Sequence, residues 1–136
     1  MTQKQKDLLL KDLCARLPYG VKCLVNYTIC NETTDYNDVK SSVVDTITEI
    51  DPQTERYFFR WPCEWFESNE FKPYLFPLSS MTEEQRKEWL SLMIKDSYGI
   101  LCPTIESFDY LYKNHIDVRG FISLGLAIDA TGLNIY

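Results

Sequence analysis

The amino-acid sequence predicts an α+β fold. A small antiparallel sheet of three to five strands spans residues 21–78, with one helix before it and two to three helices after it. Three observations predict this. Leu9, Leu10, Leu13 and Leu17 recur at helical steps near the start. From Val21 to Leu78 apolar side chains alternate with polar ones, and Val, Thr, Ile and aromatic residues dominate. After Ser80, helix-start signals return. A sheet of this size is expected to curl, toward a barrel-like form at the limit. A chain of 136 residues, 45% hydrophobic and 25% charged, reads as one globular domain over 1–136.

The elements follow in order. Residues 3–16 carry an apolar stripe with Lys4, Lys6 and Lys11 mainly on other faces, and Pro18 and Gly20 stop the helix. Val21, Cys23, Val25 and Tyr27 alternate with their neighbours as in a strand. Asn31–Asp38 is polar and turn-rich, hence a loop. Val39–Ile50 and Tyr57–Trp61 form a hairpin around the Asp51-Pro52-Gln53-Thr54 turn. If the chain stays extended beyond it, Tyr57, Phe59, Trp61, Cys63 and Trp65 share one face. They then supply core bulk, and any tryptophan left in water becomes an interface anchor. Lys72–Leu78 is a short strand between prolines.

Thr82 with Gln85 three residues on makes a capping box, and the helix it starts is expected to run to about Ser97 and stop at Gly99. Trp89, Leu92 and Met93 are its expected buried side. Thr104 caps a further helix through about Asn114, with Phe108, Leu111 and Tyr112 apolar. A last helix is expected over about Val118–Leu126.

Net charge is −6. Residues 31–70 hold ten acidic and three basic side chains, whereas residues 1–30 hold five basic and two acidic. The overall balance disfavours sequence-independent nucleic-acid binding. The acidic middle third, with Asp35, Asp38 and Asp45 and the anchors Trp61 and Trp65, suits docking on a basic protein surface. No apolar run approaches the roughly 20 residues of a membrane span, and Met1–Asp12 has no signal-like core, so the expected setting is cytoplasmic.

The five cysteines, Cys14, Cys23, Cys30, Cys63 and Cys102, show no CxxC spacing. Free thiols are expected, most of them small buried apolar residues, and neither a metal site nor a cofactor is expected. Phosphate-loop, GxSxG, HExxH and EF-hand patterns are absent from the sequence. His115, Asp117 and Arg119 fall within five residues at a break between helices. As catalysts they would need a nucleophile and a pocket. As structure, Asp117 caps the last helix and Arg119 ties the corner down.

Three segments carry a family resemblance: Leu8–Val21, Pro73–Thr82 and Asn114–Ile122 with Gly125-Leu126-Ala127. The chain resembles a group of small proteins of gut Bacteroidales bacteria and their phages or mobile elements. That group shows an aromatic-Leu-Asn, His-His-Phe-Asp-Tyr-Arg-Gly-Leu-Ile pattern near its C-terminus. His115, Asp117, Arg119 and Gly120 match it, while Tyr112, Asn114, Ile116 and Val118 depart from it. The resemblance implies a cytoplasmic, phage-borne accessory protein and assigns no catalytic residues. Three functions follow as expectations. The first is a protein-binding or regulatory module, such as an inhibitor of a host enzyme or defence complex. The second is a small enzyme with a His115/Arg119 pocket. The third is a nucleic-acid-associated factor using Lys4, Lys6, Lys11 and Arg16.

Overall fold

A computed structural model describes residues 1–29 and 39–136. The chain divides into two compact units, Met1–Tyr74 with Tyr136, and Leu75–Ile135. The expected loop Asn31–Asp38 lies outside the described residues.

The first unit opens with helix α1, Gln3–Arg16. Thr2 starts it with a capping box: its hydroxyl accepts from the Gln5 N–H, and the Gln5 side chain accepts from the Thr2 N–H. Leu9 and Leu13 are fully buried, as the leucine stripe requires. Strands β1 (Lys22–Ile29), β2 (Val39–Asp51), β3 (Arg56–Phe59) and β4 (Glu64–Phe66) follow, and the chain enters β5 (Phe71–Pro77). The strand order is β4-β3-β2-β1-β5, every pair antiparallel. The sheet is open, which corrects the barrel-like expectation: β4 is three residues long and pairs with β3 alone among the described strands.

The inner face of this sheet is aromatic. Phe59 meets Phe66 and Phe71 edge to face at 5.7 and 5.2 Å, and Tyr57 meets Phe71 at 4.9 Å. Cys23, Val25 and Ile47 complete the buried layer. Fully buried with it is an ion pair within α1: Arg16 Nε and Nη2 donate to the two carboxylate oxygens of Asp12. Two charges one helical turn apart can share a fork-like contact, and burial makes the survival of both partners mandatory.

The second unit begins within β5. Its helices are α2 (Glu83–Ser91) and α3 (Ile105–Lys113), both started by capping boxes, Thr82 with Gln85 and Thr104 with Ser107. Between them lies a two-stranded hairpin, β6 (Ile94–Lys95) with β7 (Leu101–Cys102). The C-terminal half of β5 pairs in parallel with β8 (Ile116–Asp117) and also with β9 (Ile128–Asp129). A small cluster of Met81, Leu111 and Ile116 holds the centre, with Phe76, Trp89, Tyr110 and Val118 packed on it.

Two helical expectations fail here. α2 ends at Ser91, not Ser97, because Leu92–Met93 close as turns and Asp96 then holds the hairpin bend through its Oδ1, which accepts from Tyr98 and Ile100 N–H. Trp89, Leu92 and Met93 are accordingly half-buried rather than core. Residues 118–126 form successive turns instead of a helix, because Gly120 and Gly125 adopt φ of 71°, outside the right-handed helical region.

Candidate interaction site

Strands β2 and β3 and the turn into β4 position the aromatic residues singled out in the sequence. The alternation breaks at 60–63. Cys63 N–H closes on the Phe59 carbonyl, Cys63 takes φ 72°, and β4 folds back with Tyr57 opposite Phe66 and Phe58 opposite Trp65. The turn reverses parity, so odd-numbered Tyr57 and Phe59 share their buried face with even-numbered Phe66. Trp61, Cys63 and Trp65 are exposed, which corrects the one-face expectation. Trp61 is 65% exposed and Trp65 43%.

Trp65 does not stand alone. Its ring lies 5.3 Å from the half-buried Phe58 ring, and Phe58 pairs across the ladder with Glu49. A row of Trp65, Phe58 and Glu49 therefore crosses three strands on the outer face. Exposed Val44 belongs to the same outer face, opposite Leu24. Glu64, Glu67 and Glu70 are exposed near these residues in sequence, with Arg56 and Arg60 as the basic counterweight.

Asp45, expected on the docking surface, is half-buried beside the Trp61 turn. Its Oδ2 accepts the Trp61 backbone N–H at 2.7 Å, so the carboxylate fixes the turn that presents Trp61. It also faces Cys23 across the ladder, and burial first, then this charge, push the Cys23 thiol well above its usual value. Cys23 is thus an inert core thiol. Cys14 and Cys63 are exposed and Cys102 is half-buried, so the expectation of mostly buried cysteines holds for Cys23 alone among the described four. Asp35 and Asp38 lie outside the described residues.

In the first unit a cleft of about 650 Å³ lies along the β1–β2 pair, lined by Asn26, Tyr27, Lys40, Ser42 and Glu70 among others. The sequence shows no sign of it, because its walls come from strand residues far apart in the chain. No protein-family model, curated protein or solved structure matches this chain.

The His115–Arg119 corner belongs to the second unit. His115 follows the α3 C-cap at φ 56°, a left-handed position that histidine tolerates better than most residues. It is 8% exposed, and its carbonyl accepts from Phe76 N–H at 2.9 Å, within the β5–β8 pairing. The Asp117 carboxylate accepts three backbone N–H groups, from Arg119, Phe121 and Ile122. It caps a turn rather than the expected helix. Arg119 is exposed and reaches the Tyr112 hydroxyl at 3.5 Å. A 220 Å³ cleft of this unit is lined by Phe76, Ser80, Gln85, Asn114, Ile116, Thr131 and Gly132, and neither His115 nor Arg119 lines that cleft.

The basic N-terminal set is also reduced: Arg16 is fully buried on Asp12, leaving Lys4, Lys6 and Lys11. Among the described residues no group of three His, Cys, Asp or Glu side chains is arranged to hold a metal ion, and no helix is long and apolar enough to cross a membrane.

Proposed function

We propose that the chain is a protein-binding module whose docking surface is the Trp61–Trp65 corner of the first unit, and that its partner presents a basic patch. One observation carries this reading. Tyr57, Phe59 and Phe66 of the same hairpin are buried, yet two tryptophans remain 65% and 43% exposed. Tryptophan offers a large rigid contact at small entropic loss and is enriched among residues that dominate binding energy. Asp45 supports the reading by fixing the Trp61 turn before any partner arrives, which lowers the ordering cost of docking. Exposed Glu49, Glu64 and Glu67 select the sign of the partner. A cytoplasmic setting and the inhibition of a host enzyme or defence complex extend the same reading through the phage resemblance.

The test is affinity capture from lysate of the native host, with low- and moderate-salt washes. A stoichiometric partner should stay on the wild-type chain. The Trp61→Ala/Trp65→Ala pair should reduce its capture at least about tenfold while circular dichroism stays unchanged. Glu49→Lys/Glu67→Lys should weaken capture mainly at low salt. No partner at either salt, or equal capture by the tryptophan variant, overturns the proposal.

A further inference from the structure

Strand β2 is 13 residues long, and its two neighbours cover it unequally. β1 pairs with Val39–Thr46, whereas β3 pairs with β2 only from Ile47 to Asp51 and then leaves through the Trp61 turn. Parity gives the direction of the backbone groups that β3 leaves behind. Asn26 N–H donates to the Glu70 carbonyl at 2.9 Å, so even-numbered β1 residues face β5 and odd-numbered ones face β2. Val25 and Tyr27 pair with Val43 and Ser41, and Ile47 N–H donates to the Val21 carbonyl. Odd-numbered β2 residues therefore face β1. Lys40, Ser42 and Val44 turn their N–H and C=O groups the other way, to an edge with no strand beside it among the described residues.

Such an edge selects its occupant by chemistry. A row of alternating backbone donors and acceptors is matched by a second extended backbone. At about 3.3 Å per residue, the stretch 40–46 runs roughly 23 Å, the length of a segment of about seven residues. Lys40 guards the end far from β3. Ser42 and Val44 carry neither charge nor proline, and both are exposed. The end nearest β3 is acidic: by the β2–β3–β4 register, Asp45, Glu49 and Glu64 lie there against Arg60. Asp45 also holds the Trp61 N–H at that end, so a segment laid on the edge meets the Trp61 corner.

We propose that the partner of the Trp61–Trp65 corner binds by adding an extended, basic segment to the β2 edge. The inference rests on the corner being a docking surface and supplies the mode of docking. The added strand continues the line of β3 and exchanges backbone hydrogen bonds with Lys40, Ser42 and Val44. Its Lys or Arg side chains meet Asp45, Glu49 and Glu64, and Trp61 packs at the same end. Backbone bonds then give affinity, and the corner gives selection.

The probe is a synthetic peptide of alternating valine and lysine, about eight residues long, added to the whole chain and read by amide hydrogen exchange. In the free chain the Ser41 and Val43 amides are protected by β1, while those of Ser42 and Val44 exchange fast. Saturating peptide should slow Ser42 and Val44 at least about tenfold and leave Ser41 and Val43 nearly unchanged. No slowing at Ser42 and Val44 overturns the added strand. Equal protection by the same peptide with glutamate in place of lysine overturns the basic occupant. Ser42→Pro and Val44→Pro each remove an outward N–H and spare the β1–β2 ladder. Circular dichroism should stay unchanged, and peptide affinity should fall at least about tenfold. Capture from host lysate separates this mode from the corner itself. Loss of the partner by Ser42→Pro/Val44→Pro, as by Trp61→Ala/Trp65→Ala, supports the edge. A partner that survives the prolines and is lost with the tryptophans leaves the corner standing and overturns the edge.

Discussion

In the first unit, Tyr57, Phe59, Phe66 and Phe71 pack ring against ring behind a five-strand order, and even a charged pair, Asp12 with Arg16, is fully buried. In the second unit Met81, Leu111 and Ile116 form a small buried cluster, Leu75, Phe121 and Ala130 are buried as well, and much of the order comes from side chains capping backbone. Thr82 and Thr104 start helices, Asp96 closes a hairpin, Asp117 gathers three N–H groups, and Asp129 accepts from Thr131 N–H. Apolar burial scales with the area removed from water, whereas each capping bond stabilises by about 1 kcal/mol net. The first unit can therefore leave two tryptophans exposed and remain stable. The second buries one aromatic side chain, Phe121, among the described residues and leans more on such capping bonds.

The largest effect that sharpens this contrast is expected at the buried pair. Arg16→Met or Asp12→Ala removes one member of the buried pair in the first unit and should cost about 3–5 kcal/mol in urea unfolding. The double replacement Asp12→Leu/Arg16→Met should be far milder. If the single and double variants unfold alike, the pair is not the buried constraint described.

Asp117→Ala should have a smaller and more local effect. It leaves the Arg119, Phe121 and Ile122 N–H groups without their acceptor, at about 2–3 kcal/mol. Amide exchange should quicken over residues 117–122, with little change at Val25 or Phe59. Equal loss of protection in both units would break the comparison.

The smallest predicted effect concerns Tyr136. Its hydroxyl donates to the Tyr74 carbonyl at 2.7 Å and accepts the Lys22 N–H at 3.1 Å, just beyond the Cys23–Pro73 end of the β1–β5 ladder. Tyr136→Phe should cost about 1 kcal/mol at neutral pH. Burial raises the ionisation of Tyr136 and Tyr57 above the usual tyrosine range. Unfolded tyrosines lose their protons first. The stability these phenols contribute is therefore complete below about pH 10 and falls as pH rises above it. Tyr136→Phe should blunt that alkaline loss, which a series of thermal melts between neutral and alkaline pH would read. An unchanged alkaline slope would remove Tyr136 from the account.

Local signals were legible wherever one segment carried its own reason. The leucine stripe located α1, the Thr82 box and the Thr104 cap located both later helix starts, and Asp51–Thr54 located the β2–β3 turn. Asp51 Oδ1 and Oδ2 accept from Gln53 N–H and the Thr54 hydroxyl there, and these bonds lower its pKa. Helix ends were less legible, because a helix stops where the next segment competes for its backbone. The Asp96 bend ended α2 early, and two left-handed glycines removed the expected helix after Asp117. Of the expected interaction residues, Trp61 and Trp65 could be named from sequence, but their exposure could not. It depends on the parity of a turn and on which face of the sheet α1 and the aromatic layer cover.

By itself, then, the sequence determined the α+β class, the order of the main elements, their caps and the candidate anchors, because each follows from spacing and from bonds between residues a few positions apart. Tertiary structure alone decided that the sheet is open, that Arg16 is buried, that Asp45 holds the Trp61 turn and that Phe108 faces water beside Ile105. Those outcomes depend on which distant surfaces meet, and the free energy of burial is shared among residues that no local pattern connects.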